Sequence, residues 1–223
     1  MPVGVTPEMV DMAMRVAALT LARLISEKKL DPSAIGSKED LLPILRSLGT
    51  TREDAFEIHI EQVPKKLQSI RGCIANDDPE SAVVLLYTAV EGEVNTAIRI
   101  LLRIQGYSQS KITTSLQGTD FRSKIDLVLP LLGTRLSPRL RQVALESQAI
   151  RNLAVHFKAA PALWSDSESK AGDHDRIYKK AAEFLGRNPI DKFEDELVGL
   201  VGACLSHNTE LRAAHDLLQR LKT

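Results

Sequence analysis

Residues 78–106, DPESAVVLLYTAVEGEVNTAIRILLRIQG, decide the fold class. Asp78 reads as an N-cap, Pro79 as the first helical residue and Glu80 as an acid in the first turn. Ala82, Leu86, Val90, Val94, Ala97, Ile98 and Leu101 then recur at steps of three and four, the buried stripe of a long helix. Gly106 supplies a C-cap. A second stretch, residues 137–161, SPRLRQVALESQAIRNLAVHFKAAP, opens on Ser137-Pro138. Its core stripe is Leu140, Val143, Ala144, Ile150, Ala154 and Phe157, and Pro161 ends it.

Outward from these two helices, helix signals recur and strand signals do not. Thr6-Pro7-Glu8 opens a helix predicted over about 7–29, and Ser37-x-x-Asp40 a short one to about Leu48. Thr51-x-x-Asp54 opens another, which Pro64 should break or kink. The polar stretch from Tyr107 to Thr119 reads as an exposed loop. A short helix follows from Asp120 to Leu129, stopped by Pro130 and Gly133. Trp164 to Asp175 is polar, and two or three helices fill the tail from Asp175 to Lys222. Aromatic residues make up only 4%, which also disfavours strands. The expectation is an all-α antiparallel bundle: a core over 77–161, an N-terminal helical extension over 1–76, and a C-terminal extension over 162–223 packed on the core.

The 223 residues suffice for a packed core without staples. No apolar run approaches the roughly 20 residues that span a bilayer, and no basic segment followed by an apolar one opens the chain. Cys73 and Cys204 lie far apart and read as reduced thiols. These features point to a cytoplasmic protein without membrane attachment. The net charge of zero hides a gradient: residues 95–160 hold 10 Lys and Arg against 3 Asp and Glu, net +7, between flanks of −5 and −2. Such a segment suits a phosphate-bearing partner, RNA among them, or it docks onto the acidic flanks of its own chain.

The chemistry concentrates at Arg151-Asn152-Leu153-Ala154-Val155-His156. Scattering the chain's 16 Arg, 5 Asn and 5 His at random yields Arg-Asn-x3-His about 0.01 times. With an acid after an apolar run on the earlier helix (Glu91) and Phe121-x-x-Lys124-Ile125 between, the region from Asp78 to Pro161 resembles the HEPN superfamily. The resemblance implies a helical fold, a pair of motifs facing one cleft in a homodimer, and metal-independent RNA cleavage. His156 and Arg151 would be catalytic, with Glu91 the acid that some HEPN proteins keep on the first core helix. The toxins of this superfamily that carry Tyr two residues after the His differ here, where Lys158 stands. Regulation by nucleotidylation of that Tyr is therefore not expected.

The residues support the same chemistry on their own. When the 2′-hydroxyl attacks its own phosphate, a group must move protons near neutral pH, and His156 can. Arg151 offers a planar fork of donors to the phosphorane oxygens. Asn152 lies one turn before His156, placed to orient the imidazole, and the helix C-terminus favours its protonated form. Arg151 and His156 are five positions apart, hence about 140° apart around the helix, so two copies of the helix would complete one pocket. Arg139, Arg141 and Lys158 are candidate RNA contacts.

Cys204-x-x-His207 with His215 lacks the partner ligands of a zinc site, and no cofactor motif is present, so no metal or cofactor is expected. His59 and His174 read as surface residues. The leading expectation is an endoribonuclease with a toxin or phage-defence role and a cognate antitoxin or regulatory protein. The alternatives are a non-catalytic transcriptional regulator similar to the mannitol-operon repressors, and a protein-interaction module that docks partners through its acidic terminal helices.

Overall fold

The computed structural model describes residues 7–48, 63–159, 167–187 and 189–221. They form helices with no strand among them: α1 (Pro7–Ser26), α2 (Lys38–Leu48), α3 (Val63–Ala75), α4 (Pro79–Ile104), α5 (Gln109–Gly118), α6 (Phe121–Ser123), α7 (Leu129–Leu131), α8 (Pro138–Ala159), α9 (Ser167–Gly186), α10 (Pro189–Val198), α11 (Leu200–Ser206) and α12 (Thr209–Arg220). A 3₁₀ turn (Pro32–Ala34) links α1 to α2, and a π turn (Lys124–Val128) joins α6 to α7.

The hub is α4, whose ends are fixed by local chemistry. Asp78 accepts a hydrogen bond from the Ser81 amide at 3.1 Å, capping the N-terminus. At the other end Gly106 adopts φ +85° while the Tyr107 amide reaches the Leu102 carbonyl at 3.1 Å, a Schellman closure. Gly106 is required by its left-handed φ, and a β-carbon there would lie 3.3 Å from the Glu27 Oε1 tip, which would have to give way by a few tenths of an ångström. The α4 stripe, Ala82, Leu86, Val90, Val94, Ala97, Ile98 and Leu101, is buried throughout.

Around α4 lie α3, α8, α9 and α11, whose inward residues share one apolar core. That core includes Leu67 and Ile70 of α3 and Phe184, Phe193 and Leu197 of α9 and α10, so burial runs on past residues 77 and 161 in both directions. A second core joins the two ends of the chain. Ala18, Leu21 and Ala22 of α1 pack with Leu211, Ala214 and Leu217 of α12, and Ile104 connects them to α4.

One expectation is corrected. The stretch from Tyr107 to Thr119 is not a loop, because α5 occupies most of it. Only Ile112 is buried there and Leu116 half-buried, too few apolar residues to show a helical period. Pro64 is the second described residue of α3, and the helix expected to reach it from Thr51 lies outside the described residues. The segment opened by Thr51-x-x-Asp54, and His59, lie outside the described residues. No helix among the described residues is long and apolar enough to cross a membrane.

Candidate functional site

Helices α4 and α8 pack along each other and bring Arg151 to the turn of α4 that carries Tyr87 and Glu91. Tyr87 is 6% exposed, and its ring meets Phe121 edge-on, with centroids 5.1 Å apart and planes at 78°. Over that ring sits the Arg151 guanidinium, its Cζ 5.4 Å from the centroid. Arg151 also donates from Nη1 to Asn152 Oδ1 at 3.1 Å. Burial pushes the Tyr87 phenol up to about 12, the neighbouring Glu91 carboxylate adds to the rise, and Arg151 opposes it. The hydroxyl is therefore neutral at any working pH.

Of the residues read from the sequence, Arg151, Asn152 and Glu91 are thus gathered on one side of the α4–α8 seam. Asn152 directs its amide oxygen to Arg151. His156 and Lys158 belong to the helical backbone of α8, but their side chains lie outside the described residues. Tyr87 was not singled out in the sequence. The available signal was its position one turn before Glu91, a polar-tipped aromatic beside the apolar stripe.

The basic segment partly docks on acidic residues of its own chain. Arg141 holds Asp126 through Nε at 2.7 Å and Nη2 at 2.8 Å, a two-pronged pair that keeps the Asp126 carboxyl below its usual range. Arg139 lies 3.9 Å from Glu196 of α10. Glu196 also accepts a hydrogen bond from Ser137, the residue that caps α8 by accepting from the Leu140 amide at 3.1 Å. Arg187, just after α9, reaches Glu146 of α8 at 2.8 Å. This last pair lines a shallow cavity of about 620 Å³ with Ala149, Ile150, Lys180 and Glu183, on the α8–α9 seam.

Of the other candidates, Cys204 is buried and beside Thr134, its thiol pushed up by burial. His207 is exposed, with Nδ1 2.9 Å from the Ala203 carbonyl oxygen. Cys73 and Cys204 are free thiols, and the His174 side chain lies outside the described residues. Comparison of the chain with protein families, with curated proteins and with solved structures finds no match.

Proposed function

We propose that this protein is a metal-independent endoribonuclease of HEPN type, acting through Arg151 and His156. The observation that carries the reading is the arrangement around Arg151. A guanidinium held between a buried tyrosine ring and an asparagine, with a carboxylate one helical turn away from the ring, is prepared to receive a phosphate. In the proposed reaction the ribose 2′-hydroxyl attacks the adjacent phosphorus. His156 handles the proton transfer, the P–O5′ bond breaks, and Arg151 neutralises the charge on the phosphorane oxygens. The homodimer supplies the second motif, because Arg151 and His156 diverge by about 140° around one helix.

Arg141 takes a smaller share in RNA binding under this reading, since its fork already serves Asp126, while Arg139 has a single contact with Glu196 at 3.9 Å. The same ion pairs favour the second reading, a non-catalytic regulator or interaction module in which the basic segment completes the fold. A toxin or phage-defence role, and a cognate antitoxin, would follow from the nuclease reading.

Incubation of the full chain with single-stranded RNA in excess EDTA separates the two. Cleavage is expected, with His156→Ala lowering the rate by about 10² to 10⁴. Arg151→Lys should also be slowed, because a point charge does not replace the fork. RNA left intact by the wild type would give the lead to the regulator.

A further inference from the structure

We propose that Tyr87 is the positioning residue for Arg151: its ring, fixed by Phe121, is the shelf that holds the guanidinium in the orientation that receives a phosphate. The inference rests on the reading of Arg151 as the phosphate-binding group, and goes beyond the motif, which lies wholly on α8.

An arginine side chain has several rotatable bonds, and freezing them opposes binding. A residue that restricts them beforehand lowers that cost. Tyr87 is suited to the task. It projects from α4, the hub of the fold, and is itself 6% exposed, while Phe121, which meets it edge-on, is 3% exposed. The shelf is therefore rigid. The Arg151 Cζ lies 5.4 Å from the ring centroid, within cation–π range, and an attraction to the ring face uses none of the five N–H donors. Asn152 takes one at Nη1, and the remaining donors can meet phosphate oxygens. The neutral phenol adds no charge to compete with the phosphate.

The ring, rather than the hydroxyl, does the holding, which gives a pattern that a purely structural residue would not produce. The test uses the full chain, with a fluorogenic oligoribonucleotide for cleavage and the all-2′-O-methyl version of the same strand for binding. Tyr87→Leu should lower both kcat/KM and affinity by about tenfold, within the range of a desolvated cation–π contact. Tyr87→Phe should restore both to within about threefold of wild type. In an Arg151→Ala background, Tyr87→Leu should cost nothing further, because the shelf has nothing left to hold.

Should Tyr87→Leu unfold, as circular dichroism would reveal, phenylalanines of increasing fluorination at position 87 keep the shape while removing the negative ring face. Binding should then weaken stepwise with each fluorine. A Tyr87→Leu protein that is folded and as active as wild type, an equal loss in the Arg151→Ala background, or insensitivity to fluorination would overturn the proposal. The two readings fail differently. Arg151-dependent binding without cleavage removes the nuclease and leaves the shelf standing. Cleavage without coupling between Tyr87 and Arg151 removes the shelf alone. No binding by the wild type removes both.

Discussion

Arg151 and Asp126 show how differently two charged residues of one basic segment are used. Arg151 rests on an aromatic ring and a neighbouring amide, whereas Asp126 is clasped by Arg141 and lies 3.5 Å from Arg122. The Arg141 hydrogen bonds come first among the causes that lower the Asp126 pKa below 3.8, so its ionised form is stabilised in the folded state. A depressed carboxylate stabilises the fold above its unfolded pKa, and that contribution is lost as pH falls through the folded value. Wild type should therefore exceed Asp126→Asn in stability at pH 5 and above, with the gap closing below pH 4. Denaturant titrations of both proteins across that range would show it; a gap independent of pH would mean that the ion pair contributes nothing. Arg151, Asn152 and Glu91 were visible through the Arg-Asn-x3-His spacing and the resemblance it carries, not through polarity, since α4 and α8 hold many other polar residues. Tyr87 escaped notice because a tyrosine among apolar neighbours looks like core, and only the approach of α8 from 64 positions further on reveals its second use.

The two longest-patterned helices, α4 and α8, were legible because their stripes and caps agree: Asp78-Pro79 and Ser137-Pro138 at the starts, and Gly106 after the end of α4. The bounds of α4 fall within two residues of those read from the pattern. Helix α5 was not legible, because it buries Ile112 alone and its remaining residues match a loop in polarity. The turn between α6 and α7 was equally hidden. One π turn precedes Pro130, where the Leu129 amide reaches back to the Lys124 carbonyl, and no residue pattern announces such a turn. Gly106 offers the clearest test of element boundaries. Its left-handed φ and the 3.3 Å approach to Glu27 both oppose a side chain. Gly106→Ala should destabilise the protein by about 1 kcal/mol or more, read as a lower midpoint in urea. An unchanged or higher midpoint would mean that the end of α4 is not held against α1 as described.

The whole molecule adds what neither helix carries alone. Its ends meet, α1 against α12, in a core of their own. No local pattern records this, since each helix shows only that it has an apolar face and not which partner covers it. Charge behaves likewise. The +7 middle was legible as a segment, yet Arg139 and Arg141 are partnered by Glu196 and Asp126, and only the tertiary fold assigns those partners. Under the nuclease reading the assembly matters as much as the fold, because positions 151 and 156 lie about 140° apart around one helix and two copies of α8 would complete the pocket. Light scattering should give twice the monomer mass at micromolar concentration, and a clean monomer there would remove the two-motif pocket. The central claim, that Arg151 and His156 cleave RNA by directing its own 2′-hydroxyl at the phosphate, is read most directly from the ends of the products. Wild type in excess EDTA should leave 2′,3′-cyclic phosphate and 5′-hydroxyl ends, and His156→Ala should leave the RNA whole on the same timescale. Products ending in 3′-hydroxyl and 5′-phosphate, or cleavage undiminished by His156→Ala, would contradict it.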